Sequence, residues 1–340
     1  MRRRGVTVLV GAFLLVVLAW QTTVVPVPYV AMGPGPTVDT LGQSDGKPVI
    51  SVTGAEATKS AGQLRLVTIE VQPYLTLFDA MRGWIARDYA VVPRELIYPP
   101  NKSEKDVDAE NATAFKQSQT SAETAALREL GYPVLVTVTG TTAGYDAANV
   151  LVAGDVITAV DGTPVSSLPK LTELVRAKPA ETARQVAYTR AGESRTATIT
   201  TKKGDDGNPR LGVTVEEKQP HPFELKIDLD RIGGPSAGLM FTLGIIDTLK
   251  AEDLTGGLII AGTGTIDEEG NVGPIGGIPQ KLIAAKSAKA KVFLTPAANC
   301  AEAMDNARPG LPLIKVATLD DALDALDSLR AGRTPPLCSR

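Results

Sequence analysis

The chain begins with an uncharged apolar run that the surface of a water-soluble domain does not accommodate. Met1-Arg2-Arg3-Arg4 precedes residues 6–20, which carry no charge, and the uncharged stretch continues to Met32. Roughly 20 helical residues at about 1.5 Å each cross the hydrocarbon core of a bilayer. Arginines before such a span favour a cytoplasmic N-terminus, with the remainder outside. No small-x-small cleavage site follows Trp20, so we predict a retained anchor, with a cleaved signal peptide as the alternative.

Composition excludes several classes of function. The 340 residues allow two or three domains, and 43% of them are hydrophobic, which is ample for a core. A net charge of −3 without a basic stripe argues against nucleic-acid binding. The single histidine, His221, excludes a clustered-histidine metal site, and the two cysteines cannot form a disulfide framework or a four-cysteine metal site. We therefore expect no metal and no cofactor.

One serine lies in a loop suited to nucleophilic attack, Gly233-Gly234-Pro235-Ser236-Ala237-Gly238, which leads into the apolar segment 237–250. Glycines let backbone N–H groups approach a carbonyl, and a helix N-terminus supplies unpaired donors for a developing oxyanion. The alternative is that Ser236 only caps the helix. A serine nucleophile also needs a base. A triad would have to use His221, but Pro220 and Pro222 beside it indicate an exposed loop.

Lysine is the other candidate base. On a wheel of 100° per residue, Lys281 falls between Ala285 and Ala288 and beside Ile278, on the apolar side of a predicted helix. An apolar environment disfavours the charged amine and lowers its pKa. A drop of the Lys281 pKa from about 10.4 to about 7.5 corresponds to roughly 4 kcal/mol of differential solvation. We therefore expect a neutral amine that can take the Ser236 proton near neutral pH.

Residues 132–201 are β-rich. The pattern predicts a strand rich in β-branched residues at 133–138, and a strand, a tight Asp161-Gly162 turn and another strand over residues 154–165. A short helix over 168–177 and a hairpin around Ala191-Gly192 follow. This order resembles a bacterial PDZ domain, which binds an extended peptide as an added strand at a sheet edge. We expect that peptide between the strand at 134–138 and the helix at 168–177. The alternative is a packing module with an unoccupied groove.

A second resemblance covers the serine loop. Gly-Pro-Ser-Ala-Gly, then Thr263-Gly264-Thr265-Ile266, then residues 270–277 and Lys281 resemble the Lon protease catalytic domain in order and spacing. The resemblance implies that Ser236 is the nucleophile, Lys281 the general base and Thr263 a residue that orients the lysine. Gly234 and Ala237, which flank this serine in the loop, are expected to be supporting residues of the site. The helix with Ala114-Phe115-Lys116-Gln117-Ser118 also resembles a Lon helix. The chain as a whole resembles the membrane-anchored PDZ-Lon proteins of Gram-positive bacteria.

The resemblances imply an α/β fold, namely a Lon-type protease domain with an inserted β-rich PDZ-like domain, preceded by one transmembrane helix. The expected segments are a cytoplasmic stub, anchor and spacer at 1–36, the first part of the protease domain at 37–130, the PDZ-like domain at 131–202, the catalytic part at 203–330 and a disordered tail at 331–340. Whether Cys300 pairs with Cys338 in that tail is left open.

The implied function is a membrane-tethered serine endopeptidase that acts outside the cytoplasm on protein or peptide substrates. The sequence contains no Gly-x-x-x-x-Gly-Lys-Ser/Thr phosphate loop, so we expect independence from ATP. Lon domains commonly form rings, and the expectation of a homo-oligomer rests on this analogy alone. The rival function is a non-catalytic peptide-binding scaffold; the intact Ser236, Lys281 and Thr263 argue against it.

Overall fold

The chain folds into two compact units in a computed structural model that describes residues 2–86, 88–229 and 232–339. The larger unit combines residues 1–126 with residues 223–340, and the smaller unit comprises residues 127–222. The smaller unit is thus inserted into the larger one in the sequence. The start of the expected cytoplasmic stub, Met1, and the end of the expected tail, Arg340, lie outside the described residues.

The apolar N-terminal run is a helix, α1 (Arg2–Val24). Its segment Val6–Val24 is long and apolar enough to cross a membrane, and none of it is buried within the protein. Length and composition therefore fit a membrane anchor, and they also fit a signal sequence.

The first half of the larger unit is mostly β-structure. Its elements are β1 (Pro26–Val27), β2 (Tyr29–Asp39), β3 (Gln43–Ser44), β4 (Lys47–Pro48), β5 (Ile50–Thr53), β6 (Gln63–Gln72), β7 (Leu75–Thr76), α2 (Leu77–Ile85) and β8 (Ala90–Pro93). The spacer predicted up to Pro36 is wrong, because β2 pairs with β6 on one side and β8 on the other. Prolines are compatible with this strand because the pairing shifts register between Pro34 and Thr37, and a bulge tolerates a missing N–H.

A long helix, α3 (Glu104–Glu129), follows. Ser103 precedes its first residue and caps the helix: Ser103 Oγ accepts from the backbone N–H of Asp106, and the Asp106 carboxylate accepts from the backbone N–H of Ser103. This reciprocal pair is a capping box with aspartate in the third position.

The smaller unit is a β-domain with one helix. Its elements are β9 (Leu135–Thr141), β10 (Val156–Val160), β11 (Thr163–Pro164), α4 (Leu168–Arg176), β12 (Ala183–Arg190), β13 (Glu193–Thr200), β14 (Lys202–Lys203), β15 (Pro209–Arg210) and β16 (Val213–Lys218). The main sheet has the order β13-β12-β10-β9-β16, with β11 beside β10. Alternate residues of these strands pack with Leu171 and Val175 of α4 in one core. β16, which lies within the range 203–330 expected for the catalytic part, is therefore the last strand of this unit.

The rest of the larger unit alternates strands and helices. The elements are β17 (Glu224–Ile227), α5 (Gly238–Leu249), β18 (Ile259–Gly262), β19 (Thr265–Ile266), β20 (Val272–Gly273), α6 (Ile278–Ser287), β21 (Val292–Pro296), α7 (Cys300–Asp305), β22 (Leu313–Val316) and α8 (Leu319–Arg330). The central sheet has the order β22-β21-β18-β6-β2-β8, parallel from β22 to β6 and antiparallel from β6 to β8. Both parts of the larger unit thus contribute to a single sheet.

The described part of the C-terminal tail, residues 331–339, is ordered, so the prediction of disorder is wrong for these residues. Leu337 forms a bridge with Ile314 of β22, and the backbone N–H of Cys338 donates to Leu313 O. Cys338 also forms a disulfide with Cys300, 38 residues earlier. Both cysteines are buried in the cluster around Ile278, Leu282 and Phe293. In a chain-entropy treatment, such a loop gives about 4 kcal/mol of stabilisation.

Candidate active site

Ser236 lies in a tight loop held by α3 and by the turn after β18. The backbone N–H of Gly234 donates to Asn111 O at 2.9 Å, and Ser118 Oγ donates to Pro235 O at 2.9 Å. On the other side, the backbone N–H of Gly264 donates to Ser236 O at 3.0 Å. Gly234 has a φ of 81°, a left-handed conformation that favours glycine. The loop is therefore fixed before α5 begins at Gly238.

Lys281 reaches this loop from α6. Its Nζ donates to Ser236 Oγ at 2.8 Å and to Thr263 Oγ1 at 2.9 Å. Thr263 Oγ1 in turn donates to Ser236 O at 3.0 Å. The threonine thus links the amine to the backbone of the serine and restricts both of them. When the amine is neutral, the Ser236 hydroxyl can donate to the Nζ lone pair in the same geometry.

Burial changes the proton affinity of Lys281. The side chain is 1% exposed, and this burial lowers its pKa to about 7, because an ammonium is poorly solvated in a low-dielectric interior. The burial confirms the prediction from the helical wheel. Near neutral pH a substantial fraction of the amine is therefore free of its proton, as a general base requires.

Gly277 determines where α6 begins. It is the N-cap residue of α6 with a φ of 72°, and a Cβ at this position would lie 2.1 Å from Ile69 Cδ1. Only glycine combines this backbone conformation with so close a neighbour. Pro279 is accommodated within the first turn of α6, where no intrahelical N–H donor is needed. Lys281 follows in this turn and projects toward Ser236.

A cleft of about 1240 Å³ lies in front of the serine, with Ser236 and Lys281 in its lining. One wall is the segment from Pro274 to Gly277. Asn299 holds this wall: its Oδ1 accepts from the backbone N–H of Ile275, and its Nδ2 donates to Ile275 O, both at 2.9 Å. Asn299 was not predicted as a site residue from the sequence. The available signal was an amide at the N-cap of α7, in the segment that follows β21, because an amide can satisfy one backbone donor and one acceptor together.

The remaining residues singled out in the sequence are distributed as follows. Ala237 is the N-cap residue of α5 and is buried, so it lies where helix N–H donors begin. Gly234 shapes the loop, and its own N–H is already used by Asn111. His221 belongs to the smaller unit, its Nδ1 lies 2.8 Å from Gln219 O, and it is not among the residues that line the cleft.

The smaller unit has a different open edge from the one expected. The strand at 134–138, β9, is interior to the sheet, with β10 on one side and β16 on the other. β16 ends the order of strands, and within the described ranges no further strand pairs with its outer side. α4 lies next to it: the backbone N–H of Leu168 donates to Glu217 Oε1. The edge beside the helix is therefore that of β16.

Comparisons with known proteins match two parts of the chain. The Lon protease C-terminal proteolytic domain matches residues 231–327, and the PDZ domain matches residues 126–201. A Lon protease of Koribacter versatilis is 32% identical over 146 residues, which cover 41% of this chain and 17% of that protein. A Lon protease of Azospirillum brasilense is 41% identical over 93 residues, which cover 26% and 11%.

A solved PDZ domain of an SdrC-like protein from Listeria monocytogenes is 27% identical, with a TM-score of 0.23; the match covers 24% of this chain and 85% of that one. The matched segments span less than a fifth of the length of either Lon protease. The two domain matches and the observed elements confirm the predicted fold class, an α/β Lon-type domain combined with a β-rich PDZ-like domain. The chain therefore contains a Lon protease C-terminal proteolytic domain and a PDZ domain.

Proposed function

We propose that this protein is a membrane-tethered serine endopeptidase in which Ser236 is the nucleophile and Lys281 the general base. The observation that carries the proposal is the 2.8 Å separation between Ser236 Oγ and the buried amine of Lys281. Catalytic nucleophiles require a base within hydrogen-bond reach and a pKa near the working pH. The pKa of Lys281, lowered to about 7 by burial, meets the second condition.

The geometry supports a two-step acyl transfer. Ser236 Oγ bonds to the substrate carbonyl carbon as its proton passes to Lys281 Nζ. Thr263 Oγ1 holds that amine in place, and we assign the backbone N–H of Ala237, at the N-terminus of α5, as a donor to the developing oxyanion. Collapse breaks the C–N bond as the ammonium returns the proton to the departing amine. A water then adds to the ester carbonyl carbon as its proton passes to Lys281 Nζ. Collapse breaks the bond between that carbon and Ser236 Oγ, releases the carboxylic acid product, and the Lys281 ammonium returns the proton to Ser236 Oγ.

The disulfide and α1 together support an extracytoplasmic location. Disulfides form and persist in oxidising compartments and are rare in the cytosol. Cys300 and Cys338 are the two cysteines of the chain, and they are bonded to each other. With α1 as a retained anchor and its arginines inside, the two folded units lie on the outer side of the membrane.

Thiol trapping in intact cells tests this location. Free thiols are first blocked in living cells, and the protein is then denatured and treated with a bulky maleimide. We expect this maleimide to label no cysteine without prior reduction and two cysteines after reduction. The control is a Cys338→Ser variant, in which Cys300 has lost its disulfide partner. The thiol of Cys300 in this variant should be blocked before reduction. Two thiols already blocked in the unreduced wild type would show a reducing compartment and contradict the proposal.

We also propose that the PDZ domain captures substrate at the outer edge of β16. An extended peptide needs unpaired backbone groups at a strand edge and side-chain pockets beside them. β16 offers that edge, and α4 lies next to it. Leu168, which is 39% exposed at the start of α4, provides apolar surface there. Capture raises the local concentration of a long substrate near Ser236.

Cleavage of an unstructured protein and of a short peptide derived from it tests both proposals. With EDTA present and nucleotide absent, the full chain in detergent should cleave both substrates. Leu168→Asp should lower kcat/KM for the protein substrate by about tenfold, with little change for the short peptide. Val152→Asp is the matched control, because Val152 is 51% exposed in the same unit.

Two results would count against the proposals. An absolute need for nucleotide or for added zinc would refute the metal-free, ATP-independent chemistry. Equal losses for both substrates in Leu168→Asp, or the same loss in Val152→Asp, would show that β16 and α4 do not capture substrate.

A further inference from the structure

Helix α2, which follows β7 in the larger unit, presents its large apolar residues to the outside. In α2, Leu77, Phe78, Met81, Trp84 and Ile85 are between 38% and 83% exposed. At 100° per residue these five positions lie within an arc of about 120°. We call this arc the α2 face. A contiguous exposed apolar surface of this kind indicates a partner or a membrane.

The other side of α2 explains why these residues have no place in the core. Ala80 and Gly83 are the buried residues of the helix, and a Cβ at Gly83 would lie 2.5 Å from Val91 Cγ2 of β8. Small residues thus bring α2 close to the sheet. The helix is already packed on its inner side, so the α2 face is an additional surface.

The position of α2 relative to α1 indicates what covers this face. α1 ends at Val24, and β1 follows after one residue. β1 pairs directly with β7, with Pro26 opposite Thr76 and Val27 opposite Leu75. α2 begins immediately after β7. Because paired strands lie about 4.8 Å apart, the start of α2 is held next to the point where the apolar span ends.

The composition of the α2 face suits the boundary between headgroups and acyl chains. Trp84 is 56% exposed and is held edge-on against Tyr29, with ring centroids 5.6 Å apart. Tryptophan prefers the membrane interface, where its ring contacts acyl chains and its N–H contacts water. Arg82, exposed on the same helix, can extend its guanidinium toward lipid phosphates.

We propose that the α2 face lies in the outer interface of the bilayer that α1 spans, so that the protease domain rests on the membrane surface. The inference depends on the proposed anchoring by α1. A helix in this position inserts its apolar side to the depth of the headgroup boundary. The larger unit then has two attachments, one through the span and one along the surface, which restrict its orientation.

The two tryptophans of the chain, Trp20 and Trp84, allow the two attachments to be measured separately. The full chain with Trp20→Phe has Trp84 as its sole tryptophan, and the full chain with Trp84→Phe has Trp20. Each variant is reconstituted in vesicles of phosphatidylcholine and phosphatidylglycerol that contain lipids spin-labelled near the headgroup or near the chain end. The readout is quenching of tryptophan fluorescence by each label and by aqueous iodide.

We expect the headgroup-proximal label to quench Trp84 about twofold more strongly than the deep label, with little quenching by iodide. Phe78→Gln combined with Met81→Gln, in the Trp20→Phe background, should reduce the lipid quenching, while Val152→Gln should not.

One contradicting result is that lipid labels quench Trp20, while Trp84 is quenched by iodide and not by lipid labels. This result would overturn the inference and leave the anchoring intact. Loss of lipid quenching at both tryptophans would refute the anchoring itself. If neither iodide nor the lipid labels quench Trp84, and this protection increases with the number of protein molecules per vesicle, the α2 face is covered by a second copy of the chain. That result would also overturn the inference.

Discussion

Ser236→Ala and Lys281→Ala are each expected to reduce peptide cleavage on the order of 10⁴-fold or more, because each removes one half of a unit that acts together. The double variant should lose no more than either single variant. The measurement is kcat for a short fluorogenic peptide, with full-length protein in detergent and with secondary structure checked by circular dichroism.

His221→Ala is the control for this experiment. His221 belongs to the smaller unit and does not line the cleft, so this variant should retain near-normal activity. Loss of activity in His221→Ala together with retained activity in Lys281→Ala would refute the Ser/Lys mechanism. Losses that multiply in the double variant would show that the two side chains act independently.

Lys281→Met is expected to stabilise the fold near neutral pH while it abolishes cleavage. Burial lowers the folded-state pKa of Lys281 from 10.5 to about 7. Between those two pH values the unfolded chain binds the additional proton, so wild-type stability rises with pH across this range and is lowest below it. Methionine has no proton to bind. Replacing a buried ionisable group by an apolar one of similar volume should add about 2–4 kcal/mol at pH 7.

Urea unfolding of the full chain in detergent at several pH values between about 6 and about 10 measures this effect. Lys286→Met is the matched control, because Lys286 lies on the same helix and is exposed. It should leave the pH dependence unchanged. If Lys281→Met were destabilising, or kept the rise of stability with pH, Lys281 would not be a buried neutral base.

The cleavage rate of the wild-type protein should rise as pH increases through about 7, because Lys281 then loses its proton.

The sequence pattern was sufficient to predict those structural features that depend only on residues close together in the chain. The apolar run without charges predicted α1, and the helical periodicity around Lys281 predicted that its side chain is buried. The Asp161-Gly162 turn also forms as expected: Asp161 and Gly162 both have positive φ between β10 and β11. In each of these cases a short segment carries its own structural preference.

Three predictions failed because distant residues override a local preference. Pro34 and Pro36 suggested a spacer, but their strand lies between two others that begin more than 20 residues later. The tail suggested disorder, yet it pairs with β22 and is bonded to Cys300. The open edge was assigned to β9, whereas β16, far along the chain, covers that side. No local propensity encodes which strand becomes the neighbour of another.

The sequence by itself determined the chemical groups of the candidate site, since one histidine beside two prolines left a lysine as the better candidate base for Ser236. It also determined that this lysine would be buried, through the apolar positions around it. Only the tertiary structure decided that Lys281 and Ser236, 45 residues apart, meet at 2.8 Å, and that Asn299 holds the wall of their cleft. Residue type and periodicity act over one or two helical turns. A hydrogen bond between distant segments exists only after the sheet has brought them together, because its geometry depends on every element packed between them.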